Sequence, residues 1–509
     1  MKNILTRLEK SPSTWFLLAT LFIFFLLRIP SLVEPYWYGD EGIYEVIGNA
    51  LRHGATLYLN IWDNKPPLLY LTYALFSGNQ FSAKLLSLIF GLASVGAFFY
   101  LAKIIFKQTR IQYLSTLIFA LLFATPVTEG DIANAENFML LPILLAACLI
   151  YKLSERNDFK LNINRQLKSN YALIWKYELL AGLLLGIALL YKVVAVFDFT
   201  ALIIFLLFIV LGKNYKLSDL SAGNVFKAVL NLFLPFVLGF LAPAVVSLIY
   251  FTLQGAGADF LRSVFTNNVG YVGYDNALLI PQGFLIVKLL MLFFLIAWLY
   301  KKRYAYSKDM LFILIWFSFE VFDSFFSQRN YTHYFLMSIS SLSLLMGLIC
   351  IKYRHSWRVV FPFALLAIFT IVYFINDRFI NLPGYYNNYI SYMTNQESAD
   401  QYQRYFDKNV PQAYAIADYL KANTRPLSRI FIWGNSAQIY ALSDTLPAGK
   451  YTVAYHITGK AVQETQNAII MRKPKYIVVL AGMPPLPFPI GTYQPVFSIS
   501  GNTIYEKYL

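Results

Sequence analysis

Two short runs near the start of the chain hold groups able to do chemistry. Trp37-Tyr38-Gly39-Asp40-Glu41-Gly42 supplies paired carboxylates, and Trp62-Asp63-Asn64-Lys65-Pro66-Pro67 supplies a third acid and a lysine ahead of a rigid Pro-Pro turn. Both lie in the first polar stretch after an apolar N-terminal segment. A carboxylate that accepts a proton, beside a cation that neutralises a developing anion, suits a reaction between a water-borne acceptor and a lipid-phosphate donor. Neighbouring helical residues point about 100° apart, so Asp40 and Glu41 cannot both face one bond. One serves the reaction while the other caps or pairs.

The elements that must position these groups are set by composition. With 58% hydrophobic and 14% charged residues among 509, the chain cannot cover an ordinary soluble surface, and it reads as a polytopic α-helical membrane protein. The net charge of +15 could suggest nucleic acid, but Lys and Arg fall in short runs between apolar segments, where they act as topology signals. Nucleic acid is not an expected partner; the bilayer is. Cys148 and Cys350 both sit in apolar segments and read as small core residues, not as a disulfide. The first apolar run, 15–33, is too long for a cleavable signal and lacks a small-residue cleavage pattern, so it is expected to stay as an anchor.

Runs long enough to cross roughly 30 Å of hydrocarbon number about eleven, with one or two more open. They fall near 13–33, 83–106, 112–127, 137–152, 177–191, 193–212, 227–253, 283–300, 309–327, 333–351 and 358–376. Alternate loops are basic: Lys2, Arg7 and Lys10; Lys107 and Arg110; Lys152, Arg156, Lys160, Arg165 and Lys168; Lys213 and Lys216; Lys301, Lys302 and Arg303; Lys352, Arg354 and Arg358. The positive-inside rule makes that side, with the N-terminus, cytoplasmic, and an odd span count puts the C-terminus outside. The opposite loops hold Asp40, Glu41, Asp63 and Lys65, then Glu129, Asp131 and Glu136, then Arg329 with His333. Lys192 lies at a tight turn on that same side, either as a site residue or as a lysine snorkelling to the headgroups.

Ile43, Val46, Ile47, Ala50 and Leu51 recur at helical spacing, which predicts an interfacial helix with its apolar stripe in lipid, Asp40 at its entrance and Glu45 on a solvated flank. Pro66 to Ser77 reads as a re-entrant or interfacial helix started by its prolines. The chain divides into a membrane body over 1–376, a tyrosine-rich interfacial connector over 377–400, and a small extracytoplasmic α/β domain over 401–509. In the last, 429–433 and 476–480 read as buried strands, 411–420 as helix, and Gly501-Asn502 as a hairpin turn. No phosphate-binding glycine loop, metal cluster or internal repeat is evident.

At this level of detail the chain resembles the membrane glycosyltransferases of the GT-C class that use polyprenyl-phosphate sugars, and most closely the bacterial branch related to protein O-mannosyltransferases and aminoarabinose transferase. The resemblance rests on Gly39-Asp40-Glu41-Gly42-Ile43-Tyr44, Trp62-Asp63-Asn64-Lys65-Pro66-Pro67-Leu68, Asn134-Ala135-Glu136-Asn137, the stretch from Gly182 to Lys192, and Arg329-Asn330-Tyr331-Thr332-His333-Tyr334-Phe335. These motifs cover roughly the first 350 residues in the expected order. The resemblance implies a GT-C-like fold of about eleven to thirteen membrane helices. It also implies an inverting glycosyltransferase of the plasma membrane in which Asp40 is the catalytic base. Lys65, with Lys192 and Arg329, would neutralise the leaving lipid phosphate. Glu41 and Glu136 count among the substrate-binding residues, although Glu136 reads equally as a helix cap. His333 either orients a phosphate oxygen or is an interfacial helix residue.

Two positions depart from the family pattern: Lys84 where an arginine is frequent, and Glu136 where an aspartate is. Lysine lacks the bidentate fork, so Lys84 reads as an interfacial anchor. Asp131 and Glu129 read as loop solvation. No cofactor is required, and a divalent cation is compatible with Asp40 and Glu136 although no spacing amounts to a metal signature. The acceptor is a lipid, a glycan or a protein. A transporter or flippase of lipid-linked sugar is the alternative reading; it predicts ionisable residues at mid-membrane and repeated halves, whereas here they collect in loops. A glycoside hydrolase or a scaffold with a degenerate site is a third, needing two carboxylates set across one bond.

Overall fold

The computed structural model describes residues 11–75, 79–156, 171–210, 222–268, 284–327, 329, 331–351, 357–375 and 378–508. The predicted basic residues Lys2, Arg7, Lys10, Lys160, Arg165, Lys168, Lys213, Lys216, Lys352 and Arg354, and Asn330 of the quoted motif, lie outside these.

A helical body comes first: α1 (Pro12–Arg28), α2 (Gly39–Arg52), α3 (Pro67–Ala74), α4 (Gln80–Ile105), α5 (Thr109–Ala124), α6 (Ala135–Glu155), α7 (Tyr171–Leu189), α8 (Ala195–Val210) and α9 (Ala222–Leu253). After a short α10 (Gly257–Leu261) and a π-helical turn, Arg262–Thr266, come α11 (Leu285–Lys302), α12 (Lys308–Ser324), α13 (His333–Leu336), α14 (Ile339–Cys350) and α15 (Trp357–Ile375). Within the described residues each apolar run read from the sequence overlaps a helix, the run at 333–351 being split between α13 and α14, and residues 211, 212, 283 and 376 at the run ends lie outside the described residues. Among the described residues five segments, Pro12–Leu32, Gln80–Ile105, Ala135–Glu155, Phe233–Leu253 and Arg358–Ile375, are long and apolar enough to cross a bilayer. The body is that of a multi-pass membrane protein, and α9, α11 and α15 present large apolar side chains outward.

Close helix packing in this body depends on small residues. A Cβ at Gly182 would lie 2.1 Å from the Phe236 carbonyl oxygen, and one at Gly239 would lie 2.3 Å from that of Leu179, so α7 and α9 touch backbone to backbone.

The tyrosine-rich connector forms α16 (Arg378–Met393), followed by α17 (Ala399–Phe406), which opens with a Ser398–Gln401 capping box, and α18 (Val410–Asn423). The final α/β unit holds β1 (Arg429–Trp433), α19 (Gln438–Leu442), β2 (Leu446–Pro447), α20 (Lys460–Arg472), β3 (Tyr476–Val479), β4 (Tyr493–Ile499) and β5 (Asn502–Lys507). The sheet order is β2-β1-β3-β5-β4; β1 runs parallel to β2 and β3, and β5 pairs antiparallel with β3 and β4. Strand alternation splits β1 between two cores. Ile430 and Ile432 join the core with α18, while Phe431 and Trp433 pack with Phe488 and Ile469.

This unit is docked on the first polar stretch. The Trp62 N–H donates to the Lys450 carbonyl at 3.0 Å, bridging Trp62 to Tyr451, and the Tyr36 N–H donates to the Tyr414 hydroxyl at 3.0 Å. Helix α2 departs from the expected interfacial placement: Ile43, Val46, Ile47 and Ala50 are buried inside the protein, against α3 and α19. Its apolar stripe is covered by protein because the C-terminal unit sits on it, a long-range contact that local periodicity does not encode.

Gly42 is a point of close approach, since a Cβ there would lie 2.6 Å from the Gln438 backbone nitrogen. Gly42→Ala is expected to force α2 and α19 apart and to cost ~1–3 kcal/mol of stability, read as a lower thermal unfolding midpoint of the detergent-solubilised protein than wild type.

Candidate active site

Asp40 lies in the first turn of α2, where the helix N-terminus favours an acid. One of its oxygens, Oδ2, takes both polar contacts: Lys65 Nζ at 2.9 Å and the Tyr44 hydroxyl, which donates at 2.8 Å. Tyr44 is one helical turn on, on the same face of α2. The second oxygen, Oδ1, is left for a ligand, and 31% of the side chain is exposed. Partial burial works to raise the Asp40 pKa, but the Lys65 charge, its hydrogen bond and that of Tyr44 outweigh it and hold the group down to about 2. Asp40 is therefore ionised, and its basicity is strongly suppressed while Lys65 stays on it.

Lys65 is held at its backbone. Its N–H donates to the Tyr70 hydroxyl at 3.2 Å and its carbonyl accepts from the Tyr58 hydroxyl at 2.8 Å. Tyr70 donates in turn to Asp63 Oδ2 at 2.7 Å. Pro66 then acts as N-cap and Pro67 as first residue of α3, a position where a missing N–H costs nothing. The ammonium hangs over the Tyr44 ring, 4.8 Å from its centre. The backbone is thus fixed while the flexible four-carbon side chain reaches into the cleft, 21% exposed.

A second group of side chains comes from distant parts of the chain. Lys192, in the turn between α7 and α8, pairs with Glu136 in the first turn of α6 and sits 4.4 Å above the Tyr334 ring. His333, which opens α13, places Nδ1 3.0 Å from Glu129 Oε2 and Nε2 4.0 Å from Glu136 Oε1. The Tyr38 hydroxyl donates to Glu129 Oε2 at 2.9 Å, and Asn134 Oδ1 lies 2.9 Å from the Tyr44 hydroxyl. Polar contacts therefore run from Asp40 through Tyr44, Asn134 and Tyr38 to Glu129 and His333. Arg329 lies at the edge, its guanidinium near the Tyr331 hydroxyl at 3.4 Å, and Tyr331 stacks on His333. The structure thus brings Asp40, Lys65, Glu136, Lys192 and His333 into one polar region with Arg329 at its margin. Among the described residues no three His, Cys, Asp or Glu side chains form a group able to hold a metal ion.

Glu41 is separate from that region. It turns into the protein, 1% exposed, accepting from the Ala133 N–H at 2.7 Å and pairing with Lys84 at 3.1 Å. Lys84 also holds Glu34 at 2.8 Å, and Glu34 accepts from the Tyr385 hydroxyl. Lys84 is fully buried, so it is an internal counter-ion and not an interfacial anchor. Burial, with Glu34 nearby, raises the Glu41 pKa against the pull of Lys84. Glu129 and Asp131, read as loop solvation, are 4% and 2% exposed, and Glu129 is a partner of His333. Burial and the Glu34 charge push the Asp131 pKa up. Glu45, read as a solvated flank, is 2% exposed with Oε1 unpartnered, and burial pushes its pKa up to about 8, Arg52 offsetting only part.

Tyr44 could have been found as the residue at i+4 from Asp40. Tyr38, Glu129 and Asn134 stand in the runs and loops quoted from the sequence, but their pairing carries no local signal, because only the folded loops bring them together. His456 of the C-terminal unit was missed for the same reason. Its Nε2 lies 3.8 Å from Asp63 Oδ1 and its ring meets the Trp62 ring edge-on at 4.8 Å. Burial lowers its pKa despite Asp63.

Comparison with known proteins bears on the fold. Residues 52–253 match the family model for dolichyl-phosphate-mannose-protein mannosyltransferases. Among solved structures, ArnT from Cupriavidus metallidurans bound to undecaprenyl phosphate superposes with a TM-score of 0.54 at 13% identity, covering 97% of this chain and 98% of that one. The archaeal oligosaccharyltransferase AglB from Archaeoglobus fulgidus, in complex with an inhibitory peptide and a dolichol-phosphate, matches with a TM-score of 0.47 at 13% identity, over 92% of this chain and 69% of that one. No curated protein matches by sequence. The fold is that of the GT-C membrane glycosyltransferases. The matched mannosyltransferase segment spans less than half of the chain, and together with this fold it is what a glycosyltransferase reading rests on.

Two outcomes test the electrostatics. Lys84→Met leaves Glu34 and Glu41 buried without their counter-ion and is expected to cost ~3–5 kcal/mol, seen as a sharp fall in the thermal midpoint that Lys84→Arg partly restores. Glu45 has a folded pKa above its unfolded value, so it is compatible with full stability below about pH 4.5 and erodes stability as pH rises toward about 8. Glu45→Gln should therefore raise the thermal midpoint at pH 8 and change it little at pH 5; an equal gain at both would contradict the assignment.

Proposed function

We propose that the protein is an inverting glycosyltransferase that moves a sugar from a polyprenyl-phosphate donor to an acceptor hydroxyl at the outer face of the plasma membrane. The observation that carries this reading is a carboxylate with one free oxygen, Asp40 Oδ1, beside a lysine mounted on a fixed loop. Support comes also from the lipid phosphate bound by ArnT, the structural relative.

In the reaction the acceptor oxygen attacks the anomeric carbon from the side opposite the phosphate. The new C–O bond forms as the bond from that carbon to the phosphate oxygen breaks, and the bonding electron pair leaves on the polyprenyl phosphate. Asp40 Oδ1 takes the acceptor proton. Phosphate leaves readily and needs cations more than an acid, so Lys65 and Lys192, with His333 and Arg329 farther out, are suited to hold its oxygens. Glu136 and Glu129 then act as positioning residues for Lys192 and His333.

The acceptor stays a class, a lipid, a glycan or a protein bearing a hydroxyl. We assign the chain three parts: a catalytic membrane body over 1–376, a connector over 377–400 and an α/β unit over 401–509. The last shares the Asp40 end of the body and is assigned to the extracytoplasmic side, with the N-terminus cytoplasmic. A transporter is the less economical reading, since the contacts converge on a base and its counter-ion.

Transfer of labelled sugar from a panel of polyprenyl-phosphate monosaccharides, in nanodiscs, tests the proposal. Asp40→Asn is expected to lower kcat by ~10²–10⁴-fold while retaining donor binding, and Lys65→Ala to weaken donor binding. Full activity in Asp40→Asn would remove Asp40 as the base.

A further inference from the structure

Lys65 has two claims on it. It lies 2.9 Å from Asp40, yet the proposed reaction needs it at the donor phosphate. The ammonium cannot fully neutralise both anions, and Asp40 is a feeble base while Lys65 remains on the oxygen that Tyr44 also holds. The side chain is built to swing: its backbone is tied by Tyr58 and Tyr70, its head is partly exposed, and the face of the Tyr44 ring beneath it offers a weak resting place. Lys192 rests in the same way on Glu136 and the Tyr334 ring.

We propose that Lys65 is a counter-ion transferred from Asp40 to the donor phosphate, so that donor binding itself switches on the base, and that Tyr44 is the positioning residue that keeps Asp40 in place once the lysine has left. This rests on the reading of the site as one for a lipid-phosphate donor. When the phosphate draws Lys65 away, Asp40 loses its strongest stabilising charge and becomes more basic, while the Tyr44 hydroxyl still fixes Oδ2 and leaves Oδ1 toward the acceptor. Before the donor arrives, the base is masked. The order that follows is donor first, acceptor second.

The scheme makes Asp40 a competitor of the donor for Lys65, which a double-mutant cycle detects. Binding of undecaprenyl phosphate to the full-length protein in nanodiscs is measured for wild type, Asp40→Asn, Lys65→Gln and the double variant. Asp40→Asn should bind about fivefold tighter than wild type, the scale of a partly exposed ion pair. Lys65→Gln should bind more weakly, and adding Asp40→Asn to it should change little. If Asp40→Asn tightens binding equally in the Lys65→Gln background, Asp40 merely repels the anion and the transfer of Lys65 is overturned. No tightening in either background overturns it as well. Absence of any lipid-phosphate binding by folded wild type would instead remove the donor reading on which the scheme rests.

Tyr44→Phe keeps the ring and loses the hydroxyl. It should lower kcat about tenfold while leaving undecaprenyl-phosphate affinity unchanged. A parallel loss of affinity, or unchanged kcat, would assign Tyr44 to packing alone.

Discussion

A single buried ammonium ties together the parts on which the site depends. Lys84 on α4 bonds Glu34 from the segment after α1 and Glu41 from the first turn of α2, and it reaches the Asp131 carbonyl at 3.3 Å. Tyr385 on α16 closes the group from the far end of the chain. All of these charged side chains are 5% exposed or less, so they must be satisfied from within the protein. Their mutual attraction has a geometric consequence. With Glu41 drawn inward, the 100° step along the helix turns Asp40 the other way, into the cleft. The acid pair divides into one residue that anchors the helix and one that is free for a ligand.

Composition and periodicity determine the helical body well, because burying apolar side chains and satisfying backbone groups in lipid admit few other solutions. The α/β unit was equally legible: Ile430, Phe431, Ile432 and Trp433 form an apolar run too short for a helix, and Gly501 makes the turn of a real hairpin. Periodicity failed where tertiary contact overrides it. The stripe of α2 looked suited to lipid only because its true cover, α19 and the residues around Gln438, lies some four hundred positions away in the sequence. Isolated charges are usually solvated, which is how Glu45, Glu129 and Asp131 read, and Lys84 reads as an interfacial anchor for want of a bidentate fork. Their burial depends on partners from other elements.

The site shows the same split. Asp40 and Lys65 were visible as residue types at a suggestive spacing, and Tyr44 could be inferred from the i+4 relation. Glu129 could not, since its value comes from a left-handed backbone turn, φ +57°, and from His333 some two hundred residues later. Nor could His456 be assigned to the Asp63 loop before the docking of the C-terminal unit was known. That docking matters for Lys65 too: Trp62 is hydrogen-bonded to Lys450, so the α/β unit braces the loop that carries the lysine.

Rigidity and freedom are distributed in this site in a way that fits its proposed chemistry. The backbones bearing Asp40 and Lys65 are fixed by buried ions, by tyrosine hydroxyls and by a docked domain, because misplacement by an ångström would cost much of the rate. The ammonium heads of Lys65 and Lys192 sit at the ends of flexible four-carbon stems. Each rests between a carboxylate and an aromatic face, in contacts strong enough to avoid leaving an unpaired charge in a dry cleft and weak enough to yield to a phosphate carrying more negative charge. A permanently free lysine would be costly to maintain beside the membrane, and one locked to its acid could not assist departure of the phosphate. An exchangeable ion pair satisfies both constraints, which is why the contact that suppresses the base is also the one suited to receiving the donor.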